Sequence, residues 1–228
     1  MHRNKGNVGI FIVALFICSA LSAQASASPL TVNEGASGST FYTGDQDGGV
    51  DSLQTPNGSV SCTGDSVGAT TTGATVNEIT ITPTFGTCKA FGFATAHIKG
   101  NNCTYTLTTP TQISSNEVTW HASGLHITCP AGKTIEVTPT SFGVSVCTLF
   151  INEQTPTGGH IIGKNAGSSG ANTMDVTLEF TLTGIHYTGT GGVCSNSETH
   201  TDASFSGSTT VRGFSNEART TQRGITFV

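Results

Sequence analysis

Few side chains in this sequence can do covalent, acid–base or ligating chemistry. His186, in "GIHYTGTGG", and His200 with Asp202, in "HTD", are the groups able to form a hydrolytic dyad with a hydroxyl or carboxylate. They are weak catalytic candidates, because serine is abundant and nothing in the spacing demands a triad. Asp45, Asp47 and Asp51, in "GDQDGGVDS", put carboxylates on a Gly-rich loop, the ligand type calcium uses. The EF-hand spacing is not met and no glutamate closes the loop, so a solvated turn is the simpler reading and no metal is expected. His121, His126 and Cys129, in "HASGLHITC", have zinc-ligand types, but zinc needs the cysteine as a free thiolate. Asp175 and Glu179 fall two strand repeats apart, about 13 Å, too far for a glycosidase pair. Trp120, the one tryptophan, is read first as a core plug and second as a platform for a sugar ring. The G-x-S-x-G, H-E-x-x-H and P-loop motifs do not occur, and no cofactor is expected.

The cysteines are more informative. A basic start (His2, Arg3, Lys5) leads into the apolar run "VGIFIVALFICSAL" and then the small residues "SAQASAS". That order reads as a secretory signal peptide over residues 1–27, the apolar run being shorter than the ~20 residues a spanning helix needs. Cleavage would remove Cys18 and leave Cys62, Cys88, Cys103, Cys129, Cys147 and Cys194. An even set in an exported chain implies three disulfides. The expected location is secreted or associated with the cell envelope. Losing Arg3 and Lys5 leaves seven basic residues against fourteen acidic, which excludes a nucleic-acid partner and a polybasic membrane contact. Charged residues are only 10% of the chain, and threonine, serine and glycine fill its surface instead.

Those groups must be positioned by strands. In "MDVTLEFTL" Met174, Val176, Leu178, Phe180 and Leu182 share one face while Asp175, Thr177, Glu179 and Thr181 share the other. The same period of two runs through "VNEITITPTF", "CTYTL", "KTIEVTP" and "FGVSVCTLFI", and no helical period with caps interrupts it. Residues 28–58 read as a loosely ordered segment with one strand near "STFYTG", and 59–228 as a single all-β domain. "NEQTPTGGHIIGKNAGSSGANT" reads as a long Gly-rich loop around a short strand, His160 to Lys164.

Strand geometry then sorts the bridges. A hairpin turning at Lys99–Asn102 places Ile98 opposite Cys103, about 33 Å from Cys88, which argues against joining Cys88 to Cys103. Strands at 59–72 and 76–86 bring Cys62 opposite Cys88. Pro130-Ala131-Gly132 bends the chain so that Cys129 meets Cys147, leaving Cys103 for Cys194. The expected fold is an antiparallel, disulfide-stapled β-sandwich, with a β-barrel as the alternative. The expected function is a non-catalytic extracellular module with a structural or binding role, its partner a cell-envelope glycan or protein. A hydrolase built on His186, His200 and Asp202 and an outer-membrane-type barrel are the competing readings, although no stable membrane insertion is expected from strands this short and an aromatic content of 7%.

Overall fold

The computed structural model describes residues 30–32, 38–73, 75–108, 110–114, 116–166, 175–194 and 199–227. The expected signal peptide lies outside these residues. The strands are β1 Leu30–Val32, β2 Ser39–Gln46, β3 Asp51–Thr55, β4 Gly58–Thr63, β5 Ser66–Thr72, β6 Thr75–Val76 and β7 Ile79–Thr84. Then come β8 Thr87–Ala90, β9 Ala94–Lys99, β10 Thr104–Leu107, β11 Thr111–Ser114, β12 Glu117–His121, β13 Leu125–Thr128 and β14 Ile135–Ser141. The last are β15 Val144–Ser145, β16 Thr148–Ile151, β17 Gly158–Ala166, β18 Asp175–Thr190, β19 His200–Phe214, β20 Gln222–Arg223 and β21 Ile225–Phe227. Two 3-10 turns, Ala122–Gly124 and Gly192–Cys194, complete the regular structure of the described residues.

The sheet closes. Going round, β18, β19, β3, β4, β8, β9, β14 and β16 pair in turn, every pair antiparallel, and β16 returns to β18. The result is an eight-stranded barrel, so the sandwich expectation is corrected to its alternative. The closing element is β16, only four residues long, which pairs with β14 on one side and β18 on the other. Two stacked sheets would leave open edges, whereas closure pairs every edge strand. Val60, Ala90, Ala96, Val137, Leu149 and Tyr187 are buried, while the alternate residues Lys89, Thr95, His97 and Lys99 are exposed. The alternation expected of half-buried strands is thus met with the apolar side inward.

β18 and β19 are 16 and 15 residues long, longer than the barrel needs. Their other halves carry a second sheet. β17 pairs with β18 over 175–183 and β12 pairs with β17. On the far side β2 pairs with β19 over 209–214, followed by β5, β7, β10 and β13. Trp120 on β12 is buried in this half, and its ring meets Phe227 edge-on at 5.5 Å. Within 28–58 the strand expected near "STFYTG" is β2, and β3 follows it, both hydrogen-bonded to β19. Threonine, Phe41 and Tyr42 supply β2 with the residue types a strand favours, and Tyr42 is buried. The Gly-rich segment expected around a short strand forms the nine-residue β17 over 158–166.

The bridges are Cys62–Cys88, Cys103–Cys129 and Cys147–Cys194. Cys62 and Cys88 face each other across β4 and β8, as expected. The other two assignments, Cys129–Cys147 and Cys103–Cys194, are corrected. β9 does not form a hairpin with β10; it pairs with β8 and β14, and β10 pairs with β7 and β13. Asn101 and Asn102 both have positive φ, and there the chain leaves the barrel for the second sheet. Thr104 then lies opposite Thr128, so the flanking Cys103 and Cys129 meet with Cα atoms 4.1 Å apart. Cys147, just before β16, is left beside the end of β18 and joins Cys194 in the following 3-10 turn.

Candidate functional site

Where the two halves share β18 and β19, the outer strands must fork. On β19 the partner changes from β3 at Ser206 to β2 at Thr209. On β18 it changes from β17 at Thr183 to β16 at Thr188. Walls that diverge cannot pack as tightly as either half alone, and a cavity of about 100 Å³ lies at this waist. The barrel contributes Leu53, Ile135, Ile185 and Phe205, and the second sheet contributes Ile81, Leu125, Phe180 and Leu182. A neighbouring space of about 60 Å³, running toward the barrel interior, shares the walls at Asp51, Asp65, Phe85 and Tyr105.

The polar part of this lining comes from the fork on β19. Asp51 opens β3 and Asp65 sits in the turn between β4 and β5; both are half-buried, and they share a hydrogen bond. The Ser208 N–H donates to Asp51 Oδ1 at 3.3 Å, and the Gly86 N–H donates to Asp65 Oδ1 at 2.7 Å. Gln46 fixes the adjacent turn: its Nε2 donates to the Cys62 carbonyl at 2.9 Å and its Oε1 accepts from the Gly64 N–H. Burial, then the charge of Asp65 and the hydrogen bond to it, push the Asp51 carboxyl up to about 6. Burial, and then the charges of Asp65 and Asp51, likewise raise the Tyr105 hydroxyl above its ordinary value. Gly207 leaves room here, since a Cβ on it would meet Asp51 Oδ1 and push that carboxyl aside. The fork on β18 is sealed differently. Gln154 Nε2 donates to the His186 carbonyl at 2.8 Å and its Oε1 accepts from the His186 N–H at 2.7 Å. One side chain thereby supplies the hydrogen bonds a neighbouring strand would have made.

The residues singled out from the sequence are placed as follows. His200 stacks on Tyr187 with ring centroids 4.9 Å apart. Asp202 is exposed, and its charge adds to burial in raising the Tyr187 hydroxyl. His186 precedes Tyr187 on β18, so strand alternation turns it to the other face. Among the described residues no hydrogen bond joins the side chain of His186 or His200 to a hydroxyl or carboxylate. Asp45 pairs with Arg212 at 3.0 Å, Asp47 is exposed on the turn, and Asp51 turns inward to Asp65; they do not converge. Trp120 is buried in the second sheet, which removes it from any surface platform. Cys62, Asp65 and Cys88 offer ligand atoms within 4.8 Å of one another, but the two sulfurs are bonded together and hold no thiolate.

Sequence reasoning passed over Asp65, Gln46 and Tyr105. Asp65 lies in "CTGD", which resembles "YTGD" at 42–45 and so reads as another strand-to-turn junction. Its place three residues after a bridged cysteine that faces a second strand was the available signal. Comparison with protein families, curated proteins and solved structures finds no match to this chain.

Proposed function

We propose that this chain is an exported, non-catalytic binding module: a disulfide-held β-barrel that carries one small apolar molecule at its waist. The observation that carries the reading is the cavity of about 100 Å³ between the barrel and the second sheet. A closed barrel of this strand number has room for packed side chains or one small ligand. Apolar cavities near 150 Å³ stay dry and take benzene or xenon, and the waist cavity is of the same order. Three disulfides fit an oxidising compartment, and they hold the surrounding strands while the cavity remains unfilled by side chains.

The competing readings have less support. The hydrolase needs His186, His200 and Asp202 in one hydrogen-bonded set, and among the described residues no hydrogen bond links either histidine side chain to a hydroxyl or carboxylate. A transmembrane barrel presents apolar residues outward and polar ones to the lumen. This barrel has the reverse arrangement, with Thr95, His97 and Lys99 exposed and Ala94, Ala96 and Val137 buried. A role at the cell envelope, with a glycan or protein partner outside the barrel, is compatible with the cavity and independent of it.

Xenon is the direct test. Dissolved xenon should shift the methyl resonances of Ile81, Leu125 and Ile185 in a saturable way, and benzene should raise the urea midpoint. Unchanged methyl spectra under xenon pressure, with the fold intact, would remove the cavity from the account.

A further inference from the structure

We propose that one end of the barrel docks on an uncharged lipid bilayer surface, with Phe93, Phe142 and Val144 entering the membrane interface and the barrel itself staying outside. This goes beyond the cavity reading and does not depend on it.

The turn from β8 to β9 and the turn from β14 to β15 lie at the same end of the barrel. β9 and β14 are antiparallel neighbours, and Thr95 and Thr140 are their last pair before the two turns. Phe93 and Phe142 each lie two residues beyond that pair, so the two tips leave the barrel side by side. Phe142 is fully exposed, and Phe93 and Val144 are 77% and 69% exposed. The other large apolar side chains exposed among the described residues are Val50 and Ile113, so most of the set is gathered at this end. Single exposed apolar residues need no explanation, but a gathered set marks a contact surface. The backbone here carries a conformational cost as well. Phe91 and Gly92 have φ of +55° and +77°, and Phe142 and Gly143 have φ of +50° and +76°. A two-residue hairpin loop with both φ positive favours Asn-Gly. Both turns carry Phe-Gly instead, in "AFGFA" and "SFGVS". At Phe142 the strained residue gains no burial in return, and that points to a use outside the fold.

Three features favour lipid over a protein partner. First, the tips are separate projections held by hydrogen bonds at their bases. The Phe91 N–H donates to the Ser59 carbonyl at 2.9 Å, the Phe93 N–H to the Ala90 carbonyl at 3.2 Å and the Val146 N–H to the Pro139 carbonyl at 2.9 Å. A protein partner needs two hollows matched to these tips, whereas fluid lipid closes around any projection. Second, the segments that meet at this end, 54–61, 90–96 and 137–151, contain no charged residue. The tips therefore enter the interface without desolvating a charge. Third, the polar groups stand behind the apolar ones. Thr95 and Ser145 are exposed and Ser141 is half-buried, at the level where headgroups accept hydrogen bonds, while the phenyl rings reach further. Beyond them the barrel wall carries exposed His97 and Lys99, so penetration stops at the tips. The chain has a formal charge of −5 at pH 7, which selects a zwitterionic surface over an anionic one.

The exported, oxidised protein is sedimented with phosphatidylcholine vesicles, with and without molar sodium chloride. It is expected in the pellet at millimolar lipid, equally in low and high salt. Phe142→Asn and Phe93→Ser should each weaken binding by about tenfold. Phe142→Asn relaxes its turn, so lost binding with near-UV circular dichroism unchanged separates docking from folding. Protein that stays in the supernatant at millimolar lipid overturns the proposal, as does binding that both variants retain. Binding confined to phosphatidylserine vesicles and abolished by salt overturns it in favour of a charged surface elsewhere on the molecule. A concentration-dependent dimer that Phe142→Asn dissolves, with no vesicle binding, overturns lipid in favour of a second copy of this chain. Each of these failures leaves the cavity reading standing, and unchanged methyl spectra under xenon leave this surface standing.

Discussion

Replacing Asp51 with asparagine should make the protein more stable in alkaline than in acidic buffer, relative to the unmutated chain. The Asp51 carboxyl titrates near 6 in the folded protein against an ordinary value of 3.8. The folded state therefore holds this proton more tightly than the unfolded chain does. Stability from that proton is complete below about pH 4 and is lost as pH rises toward 6. A shift of about two units corresponds to ~3 kcal/mol if fully expressed. Asp51 is half-buried, and solvent screening reduces the expected effect to about 1–2 kcal/mol. Asparagine carries no charge at either pH and can donate to Asp65, so the variant should lack this pH-dependent loss. Urea unfolding of both proteins between pH 3.5 and pH 8 isolates the effect, because other carboxyls cancel in the difference. The difference should move in favour of Asp51→Asn by about 1–2 kcal/mol between those limits. A difference that is flat with pH, or that moves in favour of the unmutated protein as pH rises, would refute a desolvated, proton-sharing pair.

Other expectations follow from the same geometry. Gly207→Ala should lower stability by roughly 1–3 kcal/mol and flatten the Asp51 titration, because the added methyl displaces the carboxyl; denaturation and carboxyl NMR read both. Gln154→Leu leaves the His186 N–H and carbonyl without their partner, which should cost about 2 kcal/mol and speed amide exchange at His186. Phe142 is fully exposed at a hairpin tip with φ of +50°, a conformation asparagine adopts more easily, so Phe142→Asn should raise the urea midpoint by the equivalent of about 1 kcal/mol. Non-reducing peptide mapping should recover Cys62–Cys88, Cys103–Cys129 and Cys147–Cys194, and a thiol reagent should find none of these six free.

One of the misread bridges was written in the chain. "CTYTL" at 103–107 and "LHITC" at 125–129 run in opposite senses with matching ends, and antiparallel pairing sets cysteine against cysteine and leucine level with leucine. The attraction of a short hairpin at Lys99–Asn102 hid this, because proximity in sequence is the cheapest loop to close. Two asparagines with positive φ do make a tight turn there, but it hands the chain from one half of the molecule to the other. Cys147–Cys194 had no comparable signal, since it depends on β16 reaching β18. The preference for a sandwich failed at the same strand: "TLFI" reads as a strand, but its residues do not say that it has two partners.

Alternation in this sequence determined that the protein is built of strands with one face inward, because a period of two sends successive side chains to opposite sides whatever the partner. Composition and the even set of six cysteines from Cys62 to Cys194 pointed to covalent support, since thiols in an oxidising compartment pair. Closure of the barrel, two of the three bridges and the carboxyl pair at the waist were decided only by tertiary structure. Each depends on which distant strand lies beside which, and hydrogen bonding between backbones is nearly the same for every choice. Asp51 and Asp65 came to line one space only when β19 changed partners at Gly207 and Ser208.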